Sequence, residues 1–182
     1  MTFTHKNIRL PKENYLGERS HFVTICCFGR RPLLADASMV PWLRELLATE
    51  AARTGFVVHA YCFMPDHVHL LVQGTSSTSD LMRFVSSFKQ KSAFEYRKRT
   101  GVALWQFKYY DHILRRRDVA THVMAYIWLN PVRKGLVREV EDYPYSGSFS
   151  LPWKEKQCIS PGEWVPPWKR MNGKEKKEGK PG

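Results

Sequence analysis

The sequence predicts an α+β domain: an antiparallel sheet in βαββαβ order with helices packed on one face, followed by a C-terminal helix that bears a tyrosine. Three observations carry this. Short runs rich in β-branched and aromatic residues alternate with two longer stretches whose apolar residues recur at helical spacing. Two of the β-prone runs are separated only by Pro65-Asp66, the spacing of a tight turn between antiparallel neighbours. The length of 182 residues suits one domain with a sizeable core rather than two.

In chain order, residues 21 to 28 (His-Phe-Val-Thr-Ile-Cys-Cys-Phe) read as the first strand, ended by Gly29. From about Met39 to Arg53, Leu43, Leu46, Leu47 and Ala51 form an amphipathic helix, with Pro41 tolerated in its first turn and Gly55 as its stop. Phe56 to Met64 and His67 to Gln73 form the central pair of strands. Leu81, Phe84, Val85 and Phe88 then follow i, i+3, i+4, i+7 spacing, giving a second helix with an apolar and a basic face, broken at Gly101. Trp105 to Leu114 suggests an extended segment or short strand. Val119 to Asn130 reads as a helix stopped by Pro131. This is the split βαβ, ferredoxin-like order. The domain is expected to span residues 1–152, and 153–182 to form a basic Pro, Trp and Lys-rich tail with a disordered end.

Lys and Arg number 29 against 17 Asp and Glu, a formal charge of +12. The tail carries +4 of it, so +8 belongs to the preceding residues and the folded part is itself basic. Such a balance points to a polyanion, either nucleic acid or an anionic lipid surface. The four cysteines, Cys26, Cys27, Cys62 and Cys158, show no CxxC pairing, and three lie in apolar runs, as in a reduced cytoplasmic protein. No signal-peptide pattern is present, and no run approaches the roughly 20 apolar residues of a membrane span.

Side chains alternate along a strand, so His67 and His69 share one face and Val68 takes the other. Two neutral imidazoles side by side make half a metal site; the alternative is a pair of half-exposed histidines on a polar sheet face. Both stand where hydrophobic alternation would otherwise continue. Asp66 either orients an imidazole or simply forms the turn. Zinc would call for further Cys or His at motif spacing; a hard ion, magnesium or manganese, suits oxygen ligands better. On the last helix Tyr126 and Asn130, four residues apart, share a face. They are either a nucleophile and a third ligand, or ordinary packing and a helix end. Tyr109 and Tyr110 are rival tyrosines in the extended segment.

The segment Tyr61-Cys-Phe-Met-Pro-Asp-His-Val-His-Leu-Leu-Val resembles the His-hydrophobic-His region of single-tyrosine HUH transposases. Tyr126-Ile-Trp-Leu-Asn-Pro-Val-Arg-Lys-Gly-Leu-Val, followed by Tyr143-Pro-Tyr-Ser, is similar to the tyrosine-helix signature of REP-associated tyrosine transposases. The resemblance runs from about His21 to Phe149. It implies that His67, His69 and Asn130 bind a divalent ion, Mg2+ or Mn2+, and that Tyr126 is the nucleophile. Mobile insertion-sequence relatives place Gln where Asn130 stands.

The activity so implied is nicking and rejoining of single-stranded or hairpin DNA of the REP type through a 5′-phosphotyrosine link. Lys89, Lys91, the run Arg115-Arg116-Arg117, and Arg133-Lys134 are the candidate phosphate contacts, with Trp105 or Trp128 to stack on unpaired bases. A monomer is favoured over a dimer: mobile relatives work as dimers that exchange their tyrosine helices, whereas the resemblance to REP-associated members implies a chain able to act alone. Two other classes remain open: a domesticated hairpin-binding protein without strand transfer, and a metal-dependent phosphodiesterase that uses water.

Overall fold

The computed structural model describes residues 10–36, 38–115, 118–152 and 164–167. Arg116, Arg117 and most of the expected tail lie outside the described residues.

The expected elements form in the expected order. Strand β1 covers Ser20–Cys26, helix α1 Met39–Thr54, β2 Phe56–Met64, β3 His67–Gly74, α2 Leu81–Thr100 and β4 Tyr110–Ile113. Helix α3 covers Ala120–Trp128 and a single turn, α4, Asn130–Arg133. A two-residue strand, β5 at Ser146–Gly147, was not anticipated. The sheet runs β4-β1-β3-β2-β5 with every pair antiparallel, so the two strands flanking the Pro65-Asp66 turn are direct neighbours.

Local chemistry sets the ends of the elements. The Asp80 carboxylate caps α2 by accepting from the amides of Met82 and Arg83, and Gly101, at φ 74°, closes the helix in a left-handed turn that other residues resist. Pro131 does not simply stop the tyrosine helix as expected. Helix α3 ends at Trp128, and Pro131 sits in the first turn of α4, where its missing N–H costs nothing.

The helices do not all lie on one face. Helices α1 and α2 cover one side of the sheet, burying Val23, Ile25, Val68, Leu70 and Val72 in the larger core. Helix α3 covers the opposite side, with Phe22, Ala60, Cys62, Met64 and Leu71 beneath it. Coverage from both sides explains why β1 and β3 are buried almost without alternation. Trp164, within the span assigned to the tail, packs into this second core against Phe22 and Tyr126. Among the described residues no helix is long and apolar enough to cross a membrane.

Candidate active site

The alternation of β3 delivers His67 and His69 to the α3 side of the sheet, with Val68 in the opposite core. Their Nε2 atoms converge to 3.0 Å. Each ring is held from behind: His67 Nδ1 lies 2.6 Å from Asp66 Oδ1, and His69 Nδ1 lies 2.8 Å from Thr24 Oγ1. The hydrogen bond from His67 first, then the nearby charge of Arg30, holds the Asp66 carboxyl below its ordinary value despite partial burial. An ionised Asp66 accepts the Nδ1 proton and leaves the Nε2 lone pair of His67 facing His69. When Thr24 likewise accepts from His69, two lone pairs oppose each other at 3.0 Å, an arrangement that a shared proton or a metal ion relieves. Two neutral imidazole nitrogens converging in this way suit a divalent ion as a donor pair.

Tyr126 and Asn130 come to this pair from above. Tyr126 is 4% exposed, its ring edge-on to those of His69 and Phe22, at 5.9 and 6.0 Å between centroids. The Asn130 side-chain amide donates to the Tyr126 carbonyl at 3.0 Å, and Arg133 at 3.1 Å. With its amide nitrogen committed, Asn130 has only Oδ1 to offer as a ligand. Arg133 also lies over the Tyr126 ring at 5.0 Å, fixing the tyrosine through a cation–π contact.

Thr24, Cys26, Arg30, His67, His69, Tyr110, Tyr126, Asn130 and Lys134 line one pocket of about 270 Å³. The two histidines, the tyrosine and the asparagine named from sequence are thus brought together. Burial pushes the Cys26 thiol up, so it stands there as an uncharged group. Burial, helped by Asp111, pushes the Tyr110 phenol up to about 12, which makes it a poorer source of phenolate. Among the described residues no three His, Cys, Asp or Glu side chains cluster so as to hold a metal ion.

Sequence reasoning missed Thr24 and Arg30. A polar residue inside the apolar strand His21-Phe-Val-Thr was a usable signal for Thr24. Arg30 had none: it follows Gly29 in a left-handed turn at φ 57°, the one non-glycine residue with positive φ among those described. Its guanidinium stands 3.5 Å from Asp66. Such a conformation costs on the order of 1 kcal/mol, and the pocket is where that cost is met.

The candidate DNA contacts divide. Lys134 lines the pocket and Arg115 an adjoining groove. Lys89 donates to the carbonyls of Gln106 and Phe107, and Lys91 to Glu50, so both have internal work as well as partial exposure. Trp105 and Trp128 are buried and cannot stack on bases. The Trp105 indole donates to Ser92 and that of Trp128 to the Gly147 carbonyl. Among the described residues the exposed phenylalanines are Phe28, Phe94, Phe107 and Phe149.

Fold and pocket together define a protein whose sheet carries a histidine pair beneath a tyrosine helix. The chain belongs to the IS200-like transposase family, whose model matches residues 17–128, a span that includes His67, His69 and Tyr126. A Haemophilus influenzae protein described as a candidate REP-associated tyrosine transposase is 34% identical over 125 residues, 60% of this chain and 66% of that one. The chain thus spans just under two thirds of that relative. The REP-associated tyrosine transposase of Escherichia coli is 25% identical over 136 residues, 72% of this chain and 78% of that one. In fold, the chain is similar to a solved REP-associated tyrosine transposase bound to a REP hairpin, with a TM-score of 0.65 at 21% identity, over 87% of this chain and 92% of that one.

Proposed function

We propose that this chain is a DNA-nicking and rejoining enzyme of the tyrosine transposase class, acting on single-stranded or hairpin DNA of the REP type. The observation that carries the reading is the convergence of His67 and His69 Nε2 atoms beneath Tyr126, in a pocket also lined by Arg30 and Lys134. Supporting it are family membership and relatives that bear the REP-associated name.

His67, His69 and Asn130 Oδ1 would hold a divalent ion, Mg2+ or Mn2+. That ion supplies polarisation of a phosphate oxygen and stabilisation of charge developing at phosphorus. The chain's own residues do the rest. Arg30 and Lys134 receive the scissile phosphate by charge. Arg133 and Phe22 hold the Tyr126 ring in one orientation, so that its hydroxyl meets phosphorus in line. Tyr126 Oη forms the bond to phosphorus and loses its proton to solvent, while the bond to the 3′-oxygen breaks and that oxygen leaves as a hydroxyl. The link is a 5′-phosphotyrosine, and attack by a 3′-hydroxyl reverses it without external energy.

Labelled hairpin DNA with manganese tests the reading. A covalent adduct is expected from the wild type and none from Tyr126→Phe. Cleavage that survives Tyr126→Phe would instead assign the reaction to water. Binding without cleavage or adduct would make the protein a hairpin binder, and an adduct lost in Tyr110→Phe but kept in Tyr126→Phe would move the nucleophile.

A further inference from the structure

Strand β4 is the outer edge of the sheet, paired on one side with β1. Along it runs a groove of about 960 Å³, larger than the active pocket. Tyr110 lines both cavities, and in the sheet it stands opposite Thr24, the residue that backs His69. Tyr110 thus stands between the pocket and the groove, whose lining runs along β4 to Arg115.

Its lining is cationic and aromatic. Arg19, Lys108 and Arg115 stand against one carboxylate, Asp111. Phe107 is 95% exposed, the most exposed large apolar side chain among the described residues. The loop that carries it is anchored: Lys89 donates to the Gln106 and Phe107 carbonyls, and the Gln106 amide donates to Cys26, a pocket residue. A fully solvated phenyl ring on a pinned backbone serves no core, and it sits at the mouth of a basic channel.

We propose that this groove binds the unpaired DNA strand flanking the scissile phosphate, with Phe107 stacking on a base and Arg19, Lys108 and Arg115 meeting the backbone. The inference rests on the function proposed above and adds the path of the strand. Stacking platforms beside positive charge are the common solution for single strands, because every base offers a π-face and every linkage an anion. A peptide added to the β4 edge would need neither the three cations nor the exposed ring.

Binding is measured with metal chelated, so that chemistry plays no part, using a hairpin that carries either no flank or six thymidines at its 5′ or 3′ end. The wild type should bind one flanked hairpin roughly tenfold tighter than the blunt one. Phe107→Ala and Lys108→Glu should each remove most of that increment while leaving affinity for the blunt hairpin unchanged. Equal affinity of the wild type for blunt and flanked hairpins overturns the groove but leaves the adduct assay free to succeed. An increment indifferent to both variants also overturns it, as does self-association of the free protein that Phe107→Ala abolishes, which would give the groove to a second copy. Failure of the wild type to bind any of these DNAs would sink the function and the groove together.

Discussion

The two faces of the sheet are built from the same strands yet hold different chemistry. On the α1/α2 side, Val68, Leu70 and Val72 of β3 meet Leu43, Leu47, Phe84 and Phe88 in a large apolar core. On the α3 side the same strand presents His67, His69 and Leu71, and the smaller core beneath α3 shares its space with a polar pocket. Each face also closes its polar groups differently. Glu50, buried between α1 and α2, is bonded to Arg53, Ser87 and Lys91, so every acceptor is satisfied within the helix layer. Asp66 and Thr24 satisfy only the back of each imidazole and leave the front facing the pocket. A one-residue step along β3 thus separates a place in the apolar core from a place in the polar pocket.

That division is most sharply tested on adjacent residues. Leu70→Ala should destabilise the fold by about 2–5 kcal/mol in chemical unfolding, while the yield of adduct per folded molecule stays near wild type. His69→Ala should do the reverse, abolishing the adduct with little loss of stability. Equal stability losses at the two positions would erase the distinction between the faces.

A weaker effect is expected behind the two imidazoles. Asp66→Asn keeps the shape but removes the charge that fixes the His67 tautomer, and should weaken the manganese dependence of adduct formation roughly 10–100-fold. An unchanged manganese titration would reduce Asp66 to a turn residue. On the other face, Glu50→Gln leaves Arg53 and Lys91 free to turn to water, so the loss should be only about 1–3 kcal/mol in unfolding, with adduct formation intact. Burial pushes the Glu50 carboxyl up, but hydrogen bonds from Arg53, Lys91 and Ser87 outweigh it and hold the group at about 2. Its stabilising contribution is therefore present above the ordinary carboxyl value near 4.5 and disappears as pH falls toward 2.

The order of strands and helices was legible because each long element repeats its period several times and ends at Gly or Pro. So were His67, His69, Tyr126 and Asn130, since i, i+2 on a strand and i, i+4 on a helix are short-range geometry. What could not be read depends on packing between distant segments. Thr24 meets His69 through the register of β1 against β3. The side of the sheet that α3 covers is set by tertiary packing that no local period encodes. Trp128 looked available for stacking because β5, which takes its indole proton, is only two residues long and has no pattern of its own. The exposure of Phe107 had no sequence signal, since the loop that carries it is held by Lys89 from another element.

The smallest effect concerns His21, on the α1/α2 side of β1. It is fully buried, neither ring nitrogen has a hydrogen-bond partner, and it stacks near Tyr15. Burial first, then the charges of Arg19 and His112, lower its pKa from 6.5 to about 4. The unfolded chain takes up this proton below pH 6.5 while the folded one does not until about pH 4, so in that window the unfolded state binds more protons and stability falls with pH. The penalty is absent at pH 8 and reaches about 0.8 kcal/mol at pH 6, a figure set by the unfolded value alone as long as the folded one lies well below it. Unfolding curves between pH 8 and 5 should show this slope in the wild type and a shallower one in His21→Phe, whatever offset the larger ring introduces. The same slope in both proteins would mean that His21 takes up a proton within the fold and that the apolar face is less dry than its packing indicates.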